Sequence, residues 1–414
     1  MNNELQQLVT QAQQAYQQLA IMAAPIKNQL LLKFAEALEN NRSTIIEANQ
    51  LDLLDAKKNS LSSALVDRLY LSDQGINQLV SSLKQIANFT DPVGEIIDSR
   101  AHANGMTINK VRVPIGVIAV IYESRPNVTV DVAALCLKSG NGVILRGGKE
   151  ALQTNQTLVK LLNDASKEFM SVPPLQFIAN QDYGVVEQLL KMDEQIDLVI
   201  PRGGERLIRR VVELSTIPVI KHYKGLCHCY IDKEADPEIA TKVVINGKCQ
   251  RPGVCNALET VLIHQDIAPT LLPDLVHQLQ QQGVECRGDE KAKALVSHLI
   301  PATMEDWDLE YLDLILSIKV VDRLEEAVKH IQQHGSGHSE VIISKNKQTQ
   351  QQFCQHVDAA AVFVNCSSRF HDGGEFGLGA ELGISTGKLH ARGPMGIVEL
   401  TTYKYLVQGN GQVR

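Results

Sequence analysis

Cys255 stands three residues after Pro252 and two after Gly253, inside NGKCQRPGVCNALETVLIH, which runs from Asn246 to His264. Proline followed by glycine forces a turn. The apolar run Leu258–Ile263 then reads as a buried strand, or as the end of a short helix leading into one. A thiol on such a turn can face a cleft while its own N–H points towards whatever the sulfur attacks. Acyl transfer needs that combination of a nucleophile and an oxyanion donor. Arg251 and Lys248 add positive charge that favours thiolate and attracts an anion. The competing reading of a free cysteine is a small buried hydrophobe.

The elements that must position this turn are legible in the spacing of apolar residues. Leu5, Leu8, Val9, Ala12, Tyr16 and Leu19 recur at helical intervals. Helical patterns continue over Ile26–Leu54, with a break at Asn40-Asn41, and over Leu61–Phe89, where Ser72 and Asp73 are N-cap candidates. Asn104-Gly105 between alternating runs predicts a hairpin over 96–113. Apolar runs at Val117–Tyr122, Val143–Leu145, Gln176–Ile178, Leu198–Ile200 and Val219–Ile220 alternate with helical stretches, the pattern of a doubly wound parallel sheet. Leu258–Ile263, Leu314–Val321, Val341–Ile343 and Ala361–Val364 predict a second α/β unit starting near Tyr230. Cys255 belongs to that unit, which puts the expected site in a cleft between the two.

Composition narrows the function classes. A chain of 414 residues is too long for one core. A net charge of -7 and 4% aromatics argue against a nucleic-acid-binding chain. The N-terminal MNNELQQLVTQAQQAYQQ is not a signal peptide, and no apolar stretch is long enough to span a bilayer. The eight cysteines form no CxxC and no framework, which fits a reducing, cytoplasmic setting. Cys227-His228-Cys229 is a strand start and not a metal site.

The usual dinucleotide fingerprint GxGxxG is absent, and Gly377-Leu378-Gly379 lacks its strand–helix setting. Arg146-Gly147-Gly148-Lys149 follows one predicted strand. Arg202-Gly203-Gly204 follows another and opens a helix. Both can bring backbone N–H groups to a phosphate, or be plain βα turns.

Four stretches together resemble the γ-glutamyl phosphate reductase branch of the aldehyde dehydrogenase superfamily, in order and over essentially the whole chain. They are QRPGVCNALETVLIH, PIGVIAVIYESRPNVTVD from Pro114, VILRGGKEA from Val143, and GGEFGLGAELGISTGKLHARGPMGIVELTTYKY from Gly373. The resemblance implies an α/β fold with a Rossmann-type cofactor domain (1–229, with the 96–113 oligomerisation hairpin inserted) and an α/β catalytic domain (230–388). A small β oligomerisation element and a C-terminal return segment (389–414) complete it. It implies NADP(H), with Arg146, Gly147, Gly148 and Lys149 at the adenosine ribose, Gly203 and Gly204 beside the pyrophosphate, and Glu310 on the nicotinamide ribose. Glu310 is otherwise a surface acid near Glu305 and Asp306. The basic Arg146 and Lys149 favour a 2′-phosphate. A homodimer or homotetramer follows on the same footing; transient contact with glutamate 5-kinase would suit the lability of glutamyl phosphate, and composition leaves neither nucleic acid nor membrane as an expected partner.

Relatives that make free acids carry a general-base glutamate upstream of the nucleophile. The corresponding stretch, Ile220–Tyr230, is IKHYKGLCHCY and holds no carboxylate; Glu213 and Glu234 only flank it. Such an absence suits an acyl group bound for hydride or phosphate. The implied reaction is NADPH-dependent reduction of L-glutamyl 5-phosphate to L-glutamate 5-semialdehyde through a Cys255 thioester, in proline biosynthesis. General or acylating aldehyde dehydrogenase activity is the alternative, and a catalytically silent scaffold is a third reading. The oxyanion donors are the Cys255 N–H and a side chain. Asn127 is the leading candidate and equally an N-cap for a helix from Val128; Ser124 is the alternative. Arg125 and Arg251 are the substrate-binding candidates, with Arg369 and Arg392 also in family-like motifs. His222, His228 and His390 read as surface or hydrogen-bonded histidines.

Overall fold

The computed structural model describes residues 3–221, 223–378 and 380–414. His222 and Gly379, both singled out above, lie outside the described residues.

Five helices open the chain: α1 (Asn3–Leu19), α2 (Ala24–Asn40), α3 (Arg42–Lys58), α4 (Ser63–Leu69) and α5 (Asp73–Ala87). The break between α2 and α3 falls at Asn41, and Ser72 caps α5 by accepting from the Gly75 N–H. Then follow β1 (Ile96–Ala101), β2 (Thr107–Pro114), β3 (Val117–Tyr122), α6 (Pro126–Lys138), β4 (Gly142–Arg146), α7 (Leu152–Ser166), β5 (Leu175–Phe177), α8 (Tyr183–Leu189), β6 (Leu198–Arg202) and α9 (Glu205–Leu214). The second set runs β7 (Cys227–Ile231), α10 (Pro237–Cys249), β8 (Leu258–His264), α11 (Ala268–Gln281), β9 (Glu285–Gly288), α12 (Glu290–Leu295), β10 (Ile300–Pro301), β11 (Ile315–Val321), α13 (Leu324–His334), β12 (Ser339–Ile343), α14 (Lys347–His356) and β13 (Ala361–Val364). The short strands β14 (Ile384–Ser385) and β15 (Gly393–Pro394) precede the final β16 (Thr401–Gln408).

Two compact units result. One holds Met1–Lys221, Leu378–Gly383 and Met395–Arg414; the other holds His222–Gly377 and Ile384–Pro394. The boundary expected after residue 229 would cut through β7, a central strand of the second unit's sheet, so the division falls earlier. The tail also divides: 384–394 belongs to the second unit and 395–414 to the first, because β16 pairs with β2.

In the first unit a parallel sheet runs β5-β4-β3-β6, and every residue of β3 is buried. Strands covered on both faces need continuous apolar runs, which is why this one reads VIAVIY. Leu5, Val9 and Ala12 of α1 pack into the core with Val117, Ala119, Ile121 and Ile144. The predicted strand at Val219–Ile220 is only a bridge between Val219 and Val199. A separate antiparallel sheet, β1-β2-β16, contains the expected hairpin around Asn104-Gly105.

In the second unit seven parallel strands run β10-β9-β11-β8-β7-β12-β13. The sequence reading missed β9 and β10, whose four and two residues are too short for a period to register. Among the described residues no helix is long and apolar enough to cross a membrane.

Candidate active site

Parallel strands share one direction, so the loops after β3, β4 and β6 gather at one end of the first sheet. From β3 the chain moves through β4 to β5 on one side and reaches β6 on the other. The order therefore reverses between β3 and β6, where open α/β sheets leave a crevice for ligands. Glu123–Asn127, Arg146–Lys149 and Arg202–Gly204 all belong to this end.

Arg146 is half-buried, donating from Nη1 to the Gly147 carbonyl at 3.1 Å and from Nη2 to the Gln181 carbonyl at 3.3 Å. Its guanidinium carbon lies 5.9 Å from the centre of the exposed Tyr183 ring, and its buried Nε has no hydrogen-bond partner. Burial lowers its pKa, against the pull of Tyr183 and Glu150. Lys149 is exposed. Gly147 and Gly148 are buried, hemmed in by Asn155 and Glu150 respectively.

The Gly203-Gly204 turn is occupied differently from the sequence expectation. The Gly204 N–H donates to the Glu123 carboxylate at 3.0 Å, and a Cβ on Gly203 would fall 2.5 Å from Glu123 Cδ. A carboxylate of the chain itself sits where the pyrophosphate was expected, so this N–H is not open to a phosphate. Glu123 carried no sequence signal beyond its place after β3.

Arg125 is the exposed N-cap residue of α6, and its N–H donates to the Glu123 carbonyl at 2.7 Å. Asn127 lies in the first turn of α6 and is not its cap, since the helix starts at Pro126. Its Nδ2 donates to Asp131 at 3.4 Å. Ser124 donates to Glu150 at 3.2 Å.

In the second unit the nucleophile candidate lies at the amino edge of the sheet, just before β8. Gly225 precedes β7, Glu310 and Leu312 precede β11, and His338 precedes β12, so all belong to the same edge. Cys255 is half-buried on the expected turn. Its carbonyl accepts from the Cys227 thiol at 3.1 Å. Burial, helped by Glu340 and Cys255, pushes the Cys227 thiol well up, which keeps it protonated as a donor. The next residue is also held: the Asn256 carbonyl accepts from Ser368 Oγ at 2.7 Å, and Asn256 Nδ2 donates to the His371 carbonyl at 3.0 Å.

Gly225 fixes the turn by contact. A Cβ there would fall 1.9 Å from the Cys255 carbonyl oxygen. The Gly225 N–H donates to Glu310 at 2.8 Å, so Glu310 is a half-buried residue that anchors the strand beside the nucleophile and not a loose surface acid. Gly225→Ala is expected to lower kcat by about 10²-fold, since displacement of a reacting group by an ångström has that effect. Steady-state kinetics beside a melting curve check this; an unchanged kcat would mean the turn accommodates the methyl group.

Lys248 corrects a sequence expectation. It is fully buried and paired with Glu259 at 2.7 Å, so its charge is neutralised and is not offered to the thiol. Burial holds Glu259 up at about 7 despite that lysine. Glu259 also accepts from the Leu312 N–H at 3.3 Å.

No carboxylate stands in the Ile220–Tyr230 segment. Glu234 lies beyond the carboxyl end of β7, at the opposite edge from Cys255, and accepts from Asn346. Glu213 is exposed on α9 of the first unit. His228 is fully buried, bonded through its N–H and Nδ1 to Glu340 at 3.0 Å. His390 is exposed with φ 69. Arg392 is tied to Asp358 at 2.7 Å. Among the described residues no group of histidine, cysteine and acidic side chains could hold a metal. A groove of about 1120 Å³ between α10, α11 and Asn365–Phe370 is lined by Gln250 and Ser367 among others and not by Cys255.

The aldehyde dehydrogenase family matches over residues 1–298. The chain is 52% identical over 397 residues to the γ-glutamyl phosphate reductase of Nautilia profundicola, covering 95% of this chain and 96% of that one. It is 48% identical over 412 residues to that of Caldanaerobacter subterraneus subsp. tengcongensis, covering 99% and 100%. The crystal structure of γ-glutamyl phosphate reductase from Thermotoga maritima superposes with a TM-score of 0.98 at 45% identity, over 100% of both chains. The chain belongs to the aldehyde dehydrogenase family and, within it, to the γ-glutamyl phosphate reductases, oxidoreductases of proline biosynthesis.

Proposed function

We propose that the chain reduces L-glutamyl 5-phosphate to L-glutamate 5-semialdehyde with NADPH, through a thioester on Cys255. The observation that carries this reading is the Cys255 turn, clamped by Gly225 and Cys227, with no carboxylate in Ile220–Tyr230 to activate water. The Cys255 sulfur bonds to the acyl carbon, the carbon–oxygen bond to phosphate breaks, and the thiol proton ends on hydrogen phosphate. Splitting the reduction this way replaces one hard step with two easier ones. The Cys255 N–H is the backbone donor to the oxyanion, and Asn127 is assigned as its side-chain donor. Arg125 and Arg251 take the substrate's anionic groups.

A bound nicotinamide cofactor supplies the hydride that converts the thioester to aldehyde and frees the thiol. The residues present fit its adenosine end. Arg146, pinned by two backbone carbonyls with a buried Nε unused, suits a 2′-phosphate beside the exposed Tyr183 ring, with Lys149 as a second cation. Gly147 and Gly148 shape that loop. Gly203 and Gly204 line the crevice, with Glu123 already on the Gly204 N–H, so pyrophosphate contacts fall to other groups. Glu310 keeps its assignment to the nicotinamide ribose. Tyr405 and Val407 are exposed on β16, which supports a homodimer or homotetramer through the β1-β2-β16 sheet.

The test is the reverse reaction: protein, glutamate 5-semialdehyde and NADP, with and without phosphate, followed by NADPH absorbance. Phosphate-dependent NADPH formation is expected. Equal rates without phosphate would point to a hydrolytic aldehyde dehydrogenase, and no signal in either to a silent scaffold.

A further inference from the structure

Two arginines flank the nucleophile turn, and neither is in an ion pair among the described residues. Arg369 sits in the short turn Ser368–Phe370, which is fastened to the Gln250–Asn256 segment by two hydrogen bonds. Arg369 Nε donates to Gln250 Oε1 at 2.9 Å, and Ser368 Oγ donates to the Asn256 carbonyl at 2.7 Å. Gln250 is the neighbour of Arg251, and Asn256 the neighbour of Cys255. Burial and then the neighbouring Arg251 charge lower the Arg369 pKa, against the pull of Asp372 and the Cys255 sulfur, so these groups lie within electrostatic reach of Arg369.

Several other cations of this unit are paired: Lys248 with Glu259, Arg287 with Asp306 and Glu285, Arg392 with Asp358. Arg251 and Arg369 enter no ion pair among the described residues. Asp372 attracts Arg369 from a distance, but its carboxylate is engaged by the Gly374 N–H at 2.9 Å. Two like charges held together without a counter-ion are unfavourable unless a dianion is to be received. With Nε fixed by Gln250, the fork of Arg369 is oriented before any ligand arrives, which lowers the entropy lost on binding.

We propose that Arg251 and Arg369 form the seat of the substrate's phosphate, Arg369 being a further catalytic residue that stabilises the phosphate as it leaves. This inference rests on the acyl-phosphate reading above. In the step concerned, sulfur bonds to the acyl carbon, the carbon–oxygen bond breaks, and its electron pair goes to the phosphate oxygen. That oxygen receives the thiol proton, giving hydrogen phosphate. The phosphate shares the acyl carbon with the attacked position, whereas the α-carboxylate lies at the far end of the glutamyl chain. Arg369, within electrostatic reach of the Cys255 sulfur, therefore meets the phosphate, and with Arg251 beside it two guanidiniums match its two charges.

The experiment uses the full-length protein and its Arg369→Ala, Arg369→Lys and Arg251→Ala variants in the reverse reaction. The expected result is a rise of about 10- to 100-fold in the KM for phosphate in each alanine variant, with the KM for aldehyde and NADP little changed. A parallel readout without turnover is alkylation of Cys255. Anionic iodoacetate should lose rate relative to neutral iodoacetamide in the alanine variants, and inorganic phosphate should cease to protect. Arg369→Lys should recover part of both effects as a point charge. A raised aldehyde KM with an unchanged phosphate KM would make this a carboxylate seat and overturn the proposal. So would unchanged phosphate KM and unchanged alkylation ratios. Absence of phosphate-dependent turnover in the unmodified protein would instead remove the parent reading. Arg251 is exposed on its turn, so its variant keeps the test decisive if the Arg369 variants fail to fold.

Discussion

Cys255→Ala should abolish turnover in both directions, with a loss on the order of 10⁴-fold or more, while the melting temperature stays near that of the unmodified protein. The side chain is half-buried and its removal leaves the clamp on its carbonyl intact: Cys227 and Gly225 act on backbone atoms that alanine retains. What disappears is the sulfur that the proposed thioester requires. Cys255→Ser should fare little better, because a hydroxyl lacks the ionisable character of a thiol. Intact-mass measurement separates chemistry from folding. The unmodified protein given acyl phosphate without cofactor should accumulate a glutamyl adduct, and the alanine variant should show none. A Cys255→Ala protein that kept even a hundredth of the normal rate would end the thioester scheme.

Glu259→Leu should be the most destabilising single change near the site, costing about 3–5 kcal/mol, because it strands the fully buried Lys248 charge. For a unit of this size that corresponds to a fall in melting temperature on the order of 10 °C. The pair joins three segments: the end of α10 that leads to Cys255, the strand β8 that leaves it, and the loop at Leu312. Leu312 sits at φ 54, a left-handed conformation that costs a branched side chain energy, and its N–H is held by Glu259. The double variant Lys248→Met, Glu259→Leu removes both charges and should regain most of the loss. Melting curves at pH 8, above the value of about 7 to which burial raises Glu259, compare the variants with the pair ionised. The pH dependence carries a sign. Between the unfolded carboxylate's range, about 4.3, and about 7, the native state holds a proton that the unfolded state has released. Stability therefore falls as pH rises through that window, and the double variant should lose that slope. A Glu259→Leu protein as stable as the unmodified one would show that Lys248 finds another partner or sheds its proton at little cost.

Local rules made much of the architecture legible. The helix break at Asn41, the cap at Ser72, the hairpin at Asn104-Gly105 and the apolar strands all follow from steric preference and periodicity within a few residues. The Pro252-Gly253 turn and the cysteine beyond it were readable for the same reason. The very short strands β9 and β10 were not, since two to four residues carry no period.

Partnership was where local reading stopped. Lys248 and Arg251 are both cations just upstream of one cysteine, yet one is buried against Glu259 while the other is exposed. Arg369 and Arg392 both lie in family-like motifs, and only the fold bonds the first to Gln250 and the second to Asp358. Gly204 looked open to pyrophosphate until the β3–β6 adjacency brought Glu123 onto its N–H. Gly225, in the stretch without a carboxylate, carried no sequence signal and proves to be where the nucleophile's carbonyl rests. Each of these depends on which strands lie side by side, a consequence of burying both faces of two sheets at once. Residue spacing along the chain records the elements, whereas the choice of neighbour is set by packing among residues far apart in sequence.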